Sequence, residues 1–252
     1  MTGRPGHVAR LLVRVTAALV SALALLAVIG RAVVVDRADA AHVRLRSERV
    51  LSHHAPADAV PLVLARDDFD GDPRTNLAAR VADTGQPWRV HAGQFVADGA
   101  QVRGGGQSVA TATVDATRSA VRVSASLTFP SGPGPRRAGF ALHAQDSGQE
   151  QVQVLYDAST RVLELRRVLA SGEPTVLATR AVAVAEPDEP TRVTVTTDGA
   201  TLWVSSERWG SAPVATFVLS AADQDRFADN RDFGIVSDGD AETRFDDFEV
   251  HR

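Results

Sequence analysis

Along the C-terminal three quarters of the chain, apolar and polar residues alternate in short runs. Residues 121–129 set Val121, Val123, Ala125, Leu127 and Phe129 on one side and Arg122, Ser124, Ser126 and Thr128 on the other. That period of two is the signature of a strand with one buried face. The same signal recurs at 139–143, 151–156, 161–168, 192–197, 201–205, 214–218, 233–237 and 243–250. Asp157-Ala158-Ser159-Thr160 and Asp198-Gly199 separate consecutive runs and predict tight turns, with Gly199 supplying a positive φ. Only 220–227 (SAADQDRF) predicts a short helix. Many short strands joined by turns predict an all-β fold, an antiparallel β-sandwich or jelly roll, over residues 67–252.

The N-terminus carries a different pattern. Arg4, Arg10 and Arg14 precede an uncharged run over 15–30, and Arg31 interrupts an apolar stretch that continues to Val35. A secretory signal needs an apolar core of roughly 7–15 residues and a membrane span about 20, and the length here favours an uncleaved signal-anchor, a transmembrane helix. Arginines ahead of the segment put the N-terminus in the cytoplasm and the rest outside, a single-pass arrangement in the cell membrane. Ala38-Asp39-Ala40 offers the alternative, cleavage near Ala40 and secretion. The expected organisation is therefore a basic flank and anchor (1–35), an extracytoplasmic stalk (36–66) and the sandwich (67–252). His53-His54, with no third ligand type nearby, belongs to the solvated stalk and not to a metal site.

Composition narrows the function classes. The formal charge of -4 divides unevenly, because residues 1–66 hold nine Arg against four acids and the remainder 18 Arg against 27 acids. A body of that sign has no basic face for phosphates, which excludes nucleic acid as a partner. The chain has no cysteine, which excludes a disulfide framework, cysteine-ligated metals, a thiol nucleophile and a lipid-modified cysteine anchor.

Three stretches carry a family resemblance: Asp68-Phe69 at the start, Asp83-Thr84-Gly85-Gln86-Pro87-Trp88 followed by Gly93-Gln94-Phe95, and Phe233-Gly234-Ile235 with Arg244-Phe245-Asp246-Asp247-Phe248-Glu249-Val250 at the close. Together they resemble the concanavalin A-like lectin/glucanase superfamily in its laminin G-like branch, over 67–252. The resemblance implies a β-sandwich with Trp88 in its core. It does not choose among lectin, glycosidase and adhesion module. The paired carboxylates that the enzymatic branch carries as E-x-D-x-x-E are missing, and Glu164 stands alone in its strand. Neither G-x-S-x-G nor H-E-x-x-H occurs. The expectation is therefore no enzyme but a binding or structural module outside the cytoplasm, recognising a cell-envelope glycan. The alternatives are a glycoside-active enzyme and a protein-interaction domain of the envelope.

Two groups of residues are candidate sites. Asp68, Asp70 and Asp72 open like a calcium loop, but Pro73 stands where an EF-hand needs Gly and Ala79 where it needs Glu. If the first and last strands lie side by side, Asp70 or Asp72 can meet Asp246 or Asp247, a hard-oxygen set suited to a structural Ca2+. Sugar binding needs an aromatic platform ringed by polar groups. Trp203 shares its strand face with Thr201 and Ser205, and Trp209 with Arg208 lies in a polar loop, so Trp203, Arg208 and Trp209 are the ligand-binding candidates.

Overall fold

The computed structural model describes residues 61–104, 109–116, 122–132, 134–170, 173–183, 185–239 and 243–252. The expected anchor, the stalk through Val60, His53-His54 and the possible cleavage site lie outside the described residues. Among the described residues, no helix is long and apolar enough to cross a membrane.

Among the described residues, fifteen strands form two antiparallel sheets. They are β1 (Val63–Asp67), β2 (Arg89–Ala92), β3 (Phe95–Ala97), β4 (Val102–Gly104), β5 (Ala110–Asp115), β6 (Arg122–Thr128), β7 (Arg136–Ala144), β8 (Gln151–Asp157), β9 (Val162–Val168), β10 (Thr175–Ala181), β11 (Thr191–Thr197), β12 (Thr201–Ser206), β13 (Gly210–Val218), β14 (Asp232–Gly239) and β15 (Thr243–His251). One sheet runs β13-β12-β11-β6-β15-β4-β3, with β1 also on β15, and the other runs β10-β9-β8-β7-β14-β5-β2. β1 begins within the stretch expected to be stalk, and its pairing with β15 sets the first and last strands side by side.

Period-two alternation does what it predicts. In β11, Val193 and Val195 are buried between part-exposed Arg192, Thr194 and Thr196. The Asp198-Gly199 turn is closed by its own side chains: Asp198 Oδ1 accepts from the N–H groups of Ala200 and Thr201, and Thr197 Oγ1 from that of Gly199. The helix α1 (Ala221–Phe227) starts at Ser220, whose hydroxyl caps the N–H of Asp223. Between the sheets lie Phe69, Trp88, Phe95, Phe129, Phe140, Tyr156, Phe245 and Phe248, all at most 2% exposed.

The seven-stranded sheet is tightly laid at its centre. A Cβ on Gly234 of β14 would sit 1.9 Å from the carbonyl oxygen of Ala112 on β5, which is main chain and cannot rotate away. Gly234→Ala is therefore expected to force the β5–β14 ladder apart and cost about 1–3 kcal/mol or more, read as a lowered urea midpoint. An unchanged midpoint would mean that the two strands yield freely.

Candidate functional site

The inner face of the seven-stranded sheet is apolar, and its outer face is mostly polar. One register line on that face runs Arg89, Thr113, Gly234, Ala141, Gln153, Arg166 across six strands. Its middle is closed over by its own side chains. Arg166, on β9, donates to Asp238 on β14 at 2.6 Å, across the two strands between them. The same face holds a separate apolar cluster of Ala141, Leu155 and Val236 with no exposed surface. Glu164, the lone strand glutamate of the sequence, accepts from Nε of Arg166 at 2.8 Å, which makes it a structural ion-pair partner.

Open space lies at the end of this face. Arg89, the β7–β8 turn and the segment entering β14 flank a shallow cleft of about 640 Å³ that is largely open to solvent, lined among others by Asp115, Asp146, Asn230, Arg231 and Asp232. That volume lies within the roughly 300–1,000 Å³ of small-ligand sites. Two of its lining residues, Arg89 and Asp232, belong to a hydrogen-bonded row that continues through the buried Thr113 to His91. His91 Nε2 meets Thr113 Oγ1 at 2.7 Å, the Thr113 hydroxyl donates to Asp232 Oδ2 at 3.1 Å, and Arg89 donates to the same oxygen at 3.0 Å. Arg89 also pairs with the exposed Asp146. Burial pushes the Asp232 carboxyl above its usual range, Arg89 and Thr113 pull it back, and Asp115, directly opposite on β5, pushes it up again. The Nδ2 of Asn230 is buried without a partner. Guanidinium and carboxylate held side by side suit a hydroxyl, which donates and accepts at once. With four Asp against two Arg in its lining, the cleft favours neutral ligands over anions.

The residues proposed from sequence lie elsewhere. Trp203 is half-buried on the outer face of the eight-stranded sheet, between Thr196 and Thr216 in register. Trp209 packs 5.0 Å from the ring of Tyr156, its Nε1 buried without a partner, and Arg208 pairs with Glu189 at 2.5 Å. The structure gathers neither tryptophan into the cleft. Asp70 and Asp72 are exposed. Asp246 is half-buried, and its carboxyl is pushed up by burial and by the charges of Asp247 and Asp70, so the loop after β1 and the last strand do come within electrostatic range. The compact carboxylate group is a different one: oxygens of Asp67, Asp68 and Asp83 lie within 4.8 Å of one another, close enough to hold a metal. Arg80 stands among them, with Nη2 2.6 Å from Asp67 and 4.0 Å from both Asp68 and Asp83. Sequence reasoning missed Arg89, Asp232, Asp67 and Arg80. The available signal was weak: Asp232 is an acid at the first position of a strand, on the face opposite Phe233 and Ile235.

Next to the cleft, His143 is 8% exposed, packs edge-on to Phe233, and leaves Nε2 unpaired. Burial holds its pKa below the usual 6.5. The unfolded chain then binds a proton near pH 6.5 that the folded one refuses, so the stability that this site contributes is complete above pH 6.5 and is lost as pH falls toward the folded pKa. Thermal melts at pH 8.0 and 5.5 are expected to show a drop that His143→Gln reduces; an equal drop in the variant would assign the dependence to other groups.

No protein-family model and no curated protein sequence matches the chain. By structure, the sandwich is similar to the carbohydrate-binding module CBM66 of Bacillus subtilis, at 13% identity and a TM-score of 0.53, over 66% of this chain and 95% of that one. More distant likenesses are the exoplasmic/lumenal domain of VIP36 in a Ca2+-bound form (8% identity, TM-score 0.47, 74% of this chain and 91% of that one) and a galectin-like protein of unknown function from Bacillus subtilis (13%, 0.45, 72% and 96%). The first establishes the β-sandwich fold, and at these identities fold is all that is established.

Proposed function

We propose that the sandwich is a glycan-binding module of the concanavalin A-like superfamily, in its laminin G-like branch, and that the cleft at the end of the seven-stranded sheet takes neutral sugar hydroxyls. The observation that carries this reading is the Arg89–Asp232 pair, a guanidinium and a carboxylate held side by side in the lining of a cleft of ligand size, with Asp232 also held by the buried Thr113. Likeness to a carbohydrate-binding module supports it as fold analogy. Calcium has no part in the proposed site: Arg80 already supplies positive charge to the three-carboxylate group, and Asp70 with Asp246 provides fewer oxygens than the six to eight that Ca2+ takes. The N-terminal 35 residues, by their sequence pattern, would hold the module on the outer side of the cell membrane.

The test is affinity electrophoresis and calorimetry against neutral and acidic envelope polysaccharides. Arg89→Ala and Asp232→Asn are each expected to weaken neutral-glycan binding roughly tenfold or more, the scale of one lost charged hydrogen bond. Trp203→Ala is expected to bind as the parent does. Loss in Trp203→Ala with retention in the cleft variants would move the site to the other sheet. Release of reducing ends would establish the enzymatic alternative, and no binding to any glycan would favour an envelope protein as partner.

A further inference from the structure

The loop after β1 assembles the oxygens of a hard-cation site around an arginine. Carboxylates of Asp67, Asp68 and Asp83 converge within 4.8 Å, and the carbonyl of Asp70 joins them by accepting from Nη1 of Arg80 at 2.8 Å. Carboxylates and a main-chain carbonyl gathered from two segments are what a calcium site uses. Here the guanidinium makes those contacts. Its Nε lies 3.0 and 2.9 Å from the two oxygens of Asp67, its Nη2 2.6 Å from Oδ1, and its Cζ stands 5.9 Å from the centroid of the Phe69 ring.

Asp67 has no capacity left for a metal while Arg80 is present. Oδ1 also accepts from the N–H of Phe69 at 2.8 Å, and Oδ2 from the indole N–H of Trp88 at 2.7 Å. Asp68 and Asp83 point at the same guanidinium from 4.0 Å while binding main-chain N–H groups of Asp70 and Asp68. Asp67 first, then Asp83 and Asp68, hold the Arg80 pKa above its ordinary value despite burial.

We infer that Arg80 is the resident cation of this group, so that the domain closes its N-terminal loop without a metal over what is otherwise a site for a hard divalent or trivalent ion. The inference is independent of the glycan reading. Removing the guanidinium while keeping the carboxylates opens the site, and Trp88, bonded to Asp67, becomes an antenna for a lanthanide placed there.

The experiment titrates the full-length chain and its Arg80→Ala and Arg80→Gln variants with Tb3+, exciting tryptophan, and then melts each with and without Ca2+. The parent is expected to show no sensitised emission that depends on Asp68 and Asp83, and no calcium shift in its melt. The variants are expected to melt lower, to gain saturable emission that Ca2+ displaces, and to recover stability when Ca2+ is added. Parent emission abolished by Asp68→Asn with Asp83→Asn would overturn the inference, since metal would then bind beside the arginine. A folded variant that stays dark to Tb3+ would overturn it, as would variants that fail to fold with Ca2+ present.

Discussion

Trp88→Ala is expected to lower stability by about 3–5 kcal/mol, a fall of roughly 6–20 °C in the melting midpoint for a domain of this size. Trp88 is 2% exposed and packs between Phe69 at 5.7 Å and Phe248 at 5.1 Å, so its ring joins the loop after β1 to the last strand. Its indole N–H also serves a wholly buried carboxylate, Asp67. Truncation thus removes packing and a charged hydrogen bond together. Trp88→Phe separates the two, because it restores most of the volume and none of the donor, and it should lose roughly 1.5–3 kcal/mol, the scale of a hydrogen bond to a charged group. Calorimetric melts of both variants check this. A midpoint for Trp88→Ala within a degree of the parent would show that the loop after β1 and the last strand are joined by other means.

What the sequence disclosed and what it hid follow from where the information lies. Strands whose inward positions are large and branched, such as β6, β9, β11 and β15, announce themselves by period two, as does the Asp198-Gly199 turn. β5 reads Ala-Thr-Ala-Thr-Val-Asp, whose inward side chains are too small to stand out, and β10 shifts register between Val176 and Ala178, which breaks the alternation. β3 and β4 have three residues each, too few for a period. The adjacency of first and last strands is an expectation from the family resemblance, and the pairing of β1 with β15 meets it. Which carboxylates converge was not readable, because Asp83 reaches Asp68 through a main-chain hydrogen bond in a loop 15 residues away. The cleft is more remote still: Arg89 and Asp232 are 143 residues apart and meet only because β5 pairs with both their strands. Trp209 has polar neighbours in sequence, yet its ring turns onto Tyr156, which local pattern cannot reveal.

The same non-local register makes Arg166 the most consequential charge on the outer face. Arg166→Ala is expected to cost about 3–5 kcal/mol, since it leaves two carboxylates without their shared cation. Asp238 and Glu164 have side chains only 12% and 17% exposed, and Asp238 would keep only its 3.2 Å contact to Arg137. The arginine also spans the two strands between β9 and β14, on the face that carries Ala141, Leu155 and Val236. Charge and side-chain bulk can be told apart. Arg166→Met with Glu164→Gln and Asp238→Asn removes all three charges and keeps an apolar stem, and it should recover most of the loss, as buried ion groups replaced together usually do. Urea titrations of the single and triple variants check the sign of the difference. A triple variant as unstable as Arg166→Ala would mean that the ion pairs themselves, and not the avoidance of unpaired charge, hold β9 to β14.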